Sequence, residues 1–185
     1  MRLNEIATGA SDSDWLLPAA IKDKATIGRD WQPLNPRLID GLCLKEVRPV
    51  LTSYGHLTEV FRTDWRLPNS TVDQIFASTL QPGSLSAWHA HAMTTDRLFV
   101  VAGSLHVVLF DARESSPTYG LLNEFRLGVQ RPMLILIPPK VWHGVQNQSS
   151  TDAVLVNAVD QAYQYEGPDH WRIPPDSKAI PYTFC

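Results

Sequence analysis

The stretch GSLSAWHAHAMTTDRLFVVAG, Gly83–Gly103, decides how the rest of this chain is read. His89 and His91 stand two apart, the spacing that puts both side chains on one face of a β-strand. Asp96 follows, immediately before RLFVVA, a run rich in the branched and aromatic residues that suit a pleated surface. Gly103 then supplies a turn into a second apolar run, SLHVVLFDA. A strand, a short loop and a strand hairpin therefore lie within about thirty residues, with no 3.6-residue periodicity among them.

Working outward, the same texture continues. LCLKEVRPV (Leu42–Val50), HLTEVFRT (His56–Thr63) and VDQIFASTLQ (Val72–Gln81) alternate apolar and polar residues before the central stretch. LLNEFRLG, MLILIP and TDAVLVNAV follow it. Turn residues separate the runs at Pro49, Ser53–Gly55, Pro68–Ser70, Pro82–Gly83, Ser115–Gly120, Pro138–Pro139 and Asn147–Asp152. Seven to nine short strands at this spacing predict an all-β sandwich or barrel over residues 39–185. Residues 1–38 read as an N-terminal arm, with a short helix around Trp15–Lys22 capped by Asp12 or Ser13. The aromatic, Pro-rich tail from Gln164 is expected to close over one end of the domain.

Composition narrows the function classes. The 185 residues are 44% hydrophobic and 19% charged, which fits one globular domain. Sixteen Lys and Arg against nineteen Asp and Glu leave a net charge of −3 without a basic run, which argues against nucleic-acid binding. Two cysteines, Cys43 and Cys185, do not form a disulfide framework, and no signal peptide or membrane-length apolar run is present. A cytoplasmic protein without membrane or nucleic-acid partners is the expectation.

Two short patterns in the chain resemble the cupin superfamily. Gly83, His89, His91, Asp96 and Gly103 match the first cupin motif, G-x5-H-x-H-x3,4-E-x6-G, with Asp in place of Glu. Pro138, His143 and Asn147 match the second, P-x-G-x2-H-x3-N, with Lys140 in place of its Gly. The resemblance implies a double-stranded β-helix, or jelly-roll barrel, with the two motifs on neighbouring strands. Three imidazoles and one carboxylate in a barrel suit one divalent transition metal (Fe, Mn, Ni, Cu or Zn) with open positions for substrate. His89, His91, Asp96 and His143 are the candidate ligands, and no nucleotide cofactor is implied. His56, His106 and His170 match neither pattern, and His106 reads as a packing or surface residue.

Within the cupins the chain resembles the dTDP-4-dehydrorhamnose 3,5-epimerases and related deoxysugar epimerases. GSLHVVLFDARESSPTYG, Gly103–Gly120, is similar to that family's G-x-V-x-D-V-x-V-D-x-R-x-x-S-P-T-x-G. LTSYGHLTEVFR keeps the Gly55, Glu59 and Phe61 of the opening pattern, IPPKVWHGV resembles I-P-x-G-x-A-H-G-F, and YQYEGPDHWRIPPD echoes the family's end. The resemblance covers about residues 42–184 and implies a homodimer acting on a small molecule, here a nucleotide-linked sugar. It implies His89 as general base, with Asp176 as the carboxylate that orients it.

The departures bear on mechanism. The family's R-G-L-H-Y-Q becomes SAWHAH, so its phosphate-side Arg is Ser86 and its Gln is His91. Its Lys falls on Asp96, its proton-donating Tyr at or near Val156, and the Arg of its D-x-R-G on Tyr54. Family epimerases use no metal, whereas these changes would build a metal site on the same strands. A nitrogen that binds a metal is not also a base, so His89 serves as one or the other. Trp88, Trp142, Glu59 and Arg97 are the candidate substrate contacts. The leading reading is sugar-nucleotide epimerase or isomerase chemistry assisted by a divalent metal. The alternatives are a metal-dependent cupin oxygenase, isomerase or lyase of a small organic substrate, and a non-catalytic small-molecule-binding cupin.

Overall fold

The structure, a computed structural model, describes residues 15–29 and 37–184. The chain divides between residues 36 and 37. In the first unit, residues 15–22 form no helix; Ala20 N donates to Leu17 O in a turn around Pro18. A proline there removes a donor and fixes its φ, and Ala19 takes a positive φ of 68°, which ends any helical path. The expected caps Asp12 and Ser13 lie outside the described residues.

The second unit contains twelve strands: β1 (Cys43–Glu46), β2 (Val50–Thr52), β3 (Gly55–Leu57), β4 (Gln74–Leu80), β5 (Leu85–Ala90), β6 (Asp96–Ala102), β7 (Ser104–Phe110), β8 (Leu122–Gly128), β9 (Met133–Ile137), β10 (Trp142–Gln146), β11 (Ala153–Val159) and β12 (Trp171–Arg172). One sheet has the order β1-β9-β6-β11-β4, the other β12-β5-β10-β7-β8, and β2 and β3 form a separate hairpin. All pairings are antiparallel. Two facing sheets of this kind, with strands passing from one to the other, are the expected jelly-roll barrel.

Alternation along the strands sorts side chains to two sides. Leu98 and Val100 of β6, Leu105, Val107 and Leu109 of β7, and Ile135 and Ile137 of β9 meet between the sheets in the main core. Each fully buried Leu or Ile there stabilises the fold by about 1.5–3 kcal/mol. The opposite sides of β6 and β9 carry Phe99, Leu134 and Leu136, which Phe61, Trp65 and Leu67 cover. The outer side of the second sheet carries Trp88, Val108 and Phe110, which Ile180, Tyr182 and Phe184 cover. The tail therefore packs along a sheet face, and only its residues near 164–172 reach the barrel mouth.

Two expected strands are interrupted. Leu42–Val50 yields β1 and then, after Pro49, the start of β2; His56–Thr63 yields only β3 before a 3-10 turn at Thr63–Trp65. Gly103 has φ +70°, and a Cβ there would lie 2.7 Å from Asp152 O, so the turn between β6 and β7 requires glycine on both counts. Lys140, standing where the cupin pattern has Gly, holds φ 66°, the left-handed conformation that pattern anticipates.

The most family-like stretch, Asp111–Gly120, is structural. Asp111, fully buried, accepts from Arg113 Nε (2.8 Å) and Nη2 (2.8 Å), Ser116 Oγ (2.6 Å) and Thr118 Oγ1 (2.6 Å). Arg113 and Thr118 in turn hold the backbone of Asp40. Burial pushes the Asp111 carboxyl up, but the bonds from Arg113, Ser116 and Thr118 outweigh it and hold the group well below the usual carboxylate range.

Candidate active site

β5 and β10 lie side by side, with His89 directly opposite His143. β6 brings Asp96 to the same interior, and β12 pairs with β5 from the far side. These strands frame a cavity of about 400 Å³ whose walls include His89, His91, Asp96, His143, Asn157 and His170. Its size and mixed apolar and polar lining suit a small organic ligand.

At its base three donor atoms converge. His91 Nε2 is 3.4 Å and His143 Nε2 is 3.3 Å from Asp96 Oδ2, and the three ligand atoms lie within 4.8 Å of one another. The other ring nitrogens fix the tautomers. His91 Nδ1 contacts Asp169 O, and His143 Nδ1 lies 3.1 Å from Val141 O. A carbonyl oxygen only accepts, so each Nδ1 carries a proton and each Nε2 is the ring atom turned toward Asp96. Two Nε2 atoms and a carboxylate oxygen thus face one point, the donor arrangement that a cation can occupy. Burial lowers the His143 pKa, against the Asp96 charge that raises it. Asp96, itself buried, takes its one neutral donor, Asn157 Nδ2, at 2.7 Å on Oδ1.

His89 adjoins this trio without being one of its three grouped residues. Its ring centroid is 4.0 Å from that of His143 and 6.1 Å from that of His91, and its buried Nδ1 has no hydrogen-bond partner. Burial, followed by the charges of His143, His170, His91 and Arg172, pushes its pKa far below the ordinary imidazole range, so the ring is neutral.

A further residue, His170, belongs to the cavity. Its ring lies 5.0 Å from His91 and 5.4 Å from His89, and its buried Nε2 has no partner. No spacing pattern marked it, because only the pairing of β12 with β5 brings it in. Its neighbour Asp169 clamps the loop after β5: the carboxylate accepts from the backbone N of Ala92 (2.7 Å), Met93 (2.8 Å) and Thr94 (3.0 Å) and from Thr94 Oγ1 (3.1 Å). The carbonyl of that residue fixes His91.

Several expected substrate contacts are placed elsewhere. Trp88 and Trp142 neighbour His89 and His143 in sequence, so alternation sends them to the outer sheet face, where Trp88 packs 4.9 Å from Phe184. Arg97, next to Asp96, also faces outward; it is fully buried, donates Nη1 to Ala158 O at 3.2 Å, and lies over the Phe61 ring. Glu59 pairs with Arg62 at 2.9 Å in an exposed loop outside the cavity. Asp176 is exposed and does not line the cavity, so it is not placed to orient His89. Of the positions where the family pattern differs, Ser86 lines the cavity, while Val156 falls between the lining residues Leu155 and Asn157 and so faces away. His56 lies on the exposed hairpin strand β3, and His106 packs beneath the tail with Nε2 3.0 Å from Glu124 Oε2.

The barrel, with its interior cavity of mixed apolar and polar lining, defines a cupin-type jelly roll. Residues 37–181 match the family described as dTDP-4-dehydrorhamnose 3,5-epimerase, and the chain belongs to that family. It is 38% identical over 123 residues to the probable low-salt glycan biosynthesis epimerase Agl13 of Haloferax volcanii, spanning 66% of this chain and 79% of that protein. It is 32% identical over 147 residues to the spore coat polysaccharide biosynthesis protein SpsL of Bacillus subtilis, spanning 80% and 97%. The crystal structure of a dTDP sugar isomerase from Desulfovibrio desulfuricans superposes with a TM-score of 0.73 at 32% identity, covering 78% of this chain and 91% of that one. No helix among the described residues is long and apolar enough to cross a membrane.

Proposed function

We propose that the protein epimerises a nucleotide-linked 4-keto deoxysugar, with His89 as the base and a divalent transition metal held by His91, Asp96 and His143. The observation that carries this reading is the convergence of the His91 and His143 Nε2 atoms on Asp96 Oδ2 beside His89, whose buried Nδ1 has no partner. Both would-be ligand histidines give their second N–H to a backbone carbonyl, the outer-sphere arrangement that metal-bound imidazoles favour. The donor set therefore fits such an ion. When bound, it would supply a Lewis acid to the oxygen that gains charge as the substrate loses its proton.

The protein's own groups divide the remaining work. His89 takes the proton from the carbon next to the ketone, the acidic position of a keto sugar, and a solvent-derived proton returned to the opposite face of that carbon completes the epimerisation. Asn157 holds Asp96 through Oδ1, so its other oxygen stays turned to the imidazoles. Asp169 keeps the His91 loop closed. Because His89 lies outside the convergent trio, the conflict between ligand and base does not arise. The absence of a disulfide framework supports a cytoplasmic setting, and the exposed Leu51, Tyr54 and Leu57 around the β2–β3 hairpin support a homodimer.

The test incubates the protein with dTDP-4-keto-6-deoxyglucose in D2O, with and without prior metal stripping. The expected result is deuterium at C3 or C5, lost in His89→Ala and reduced by stripping. No exchange under either condition would overturn the epimerase reading; full exchange by the stripped protein would overturn the role of the metal.

A further inference from the structure

A nucleoside-diphosphate sugar brings two phosphates, yet the family's phosphate-side arginine is Ser86 here. Among the described residues, Arg172 is the one Arg or Lys that lines the cavity. It sits on β12 directly opposite His89, and cross-strand partners share a face, so its side chain projects to the side on which His89 stands. Its guanidinium makes no hydrogen bond or ion pair within the described residues. The two carboxylates lining the cavity face other groups: Asp169 accepts from four donors, and Asp96 accepts from Asn157 and has the two imidazole Nε2 atoms beside it. Arg172 is exposed while its side chain still lines the cavity. An unpaired cation at the mouth of a cavity is placed to attract an anion.

We propose that Arg172 is the phosphate-binding residue of this cavity, contributed by β12 in place of the arginine that the family pattern carries on β5. The proposal rests on the nucleotide-sugar reading above. A guanidinium presents a planar fork of N–H donors that matches two phosphate oxygens at once. The Ser86 position still lines the cavity, so an arginine has been lost from one strand while another lines the same space from its neighbour.

Titration calorimetry with dTDP and with thymidine tests this on the intact protein. Arg172→Gln is expected to weaken dTDP about 10- to 100-fold, the loss typical of a charge-assisted bidentate contact, and to flatten the salt dependence of binding. Arg172→Lys keeps the charge without the fork and should fall between. Thymidine, which has no phosphate, should bind all three proteins alike. Equal dTDP affinity in wild type and Arg172→Gln would overturn the assignment while leaving the nucleotide-sugar reading intact. An equal loss for thymidine would also overturn it, because the change would then have damaged the cavity. Wild-type protein that binds no dTDP would overturn the nucleotide-sugar reading itself, and this assignment with it.

Discussion

Asp96→Asn should stabilise the metal-stripped protein and weaken the metal-loaded one. In the stripped protein burial lowers the pKa of His143, whose Nε2 lone pair faces Asp96 Oδ2 at 3.3 Å, and His91 Nε2 lies 3.4 Å from the same oxygen. An amide in the same shape keeps Oδ1 for Asn157 Nδ2 and turns an NH2 group toward both rings. Two new hydrogen bonds at about 1 kcal/mol each, less some loss to imperfect angles, give roughly 1.5 kcal/mol. For a domain of this size that raises Tm by roughly 3–6 °C. With metal at 100 times the wild-type Kd, the wild type gains about 2.7 kcal/mol. A variant that has lost its one charged ligand, and about 100-fold in affinity, gains only about 0.4 kcal/mol at that concentration. The order of the two melting temperatures therefore inverts between EDTA and metal. Differential scanning fluorimetry of both proteins under both conditions reads this directly. If Asp96→Asn melts below wild type in EDTA, the three atoms do not form a frustrated, cation-seeking cluster and the reasoning is wrong.

Other outcomes follow from single sites. Lys140→Gly should raise stability by about 1 kcal/mol, or ~2–4 °C in Tm, by relieving a left-handed backbone at a non-glycine residue; an unchanged or lower Tm would contradict this. Asp111→Ala should cost about 3–5 kcal/mol by stranding Arg113, Ser116 and Thr118. Because the folded-state pKa of Asp111 is depressed, its contribution is present above the unfolded carboxyl value of about 3.9 and is lost as pH falls through the folded one, so urea titrations of wild type and variant should converge in acid. Asp169→Ala should lower metal affinity about 10- to 100-fold and speed hydrogen exchange at residues 92–94, whereas exchange that stays slow would show that the loop holds without its clamp.

Much of the fold was legible in strand periodicity. The runs before and after Gly103 became β6 and β7, and the histidine spacing put His91 and His143 on one interior. The same alternation, carried one residue further, would have sent Trp88, Trp142 and Arg97 outward; their chemistry suggested substrate contacts, but their parity forbade them. His170, Asp169 and Arg172 were not legible, because nothing local links residues 169–172 to residue 89. That contact exists only through the two-residue strand β12, too short to leave a periodic trace. Asp176 was read from a loose likeness of the tail, and the chain turns away to the surface before reaching it.

The most direct test of the central claim is the metal content of untagged protein purified from metal-replete cells, measured by mass spectrometry beside His91→Ala. The account predicts about one divalent transition metal per chain in the wild type and a loss of most of it in the variant, with both proteins folded. A metal-free wild type that still exchanges the substrate proton would contradict it and return catalysis to His89 alone.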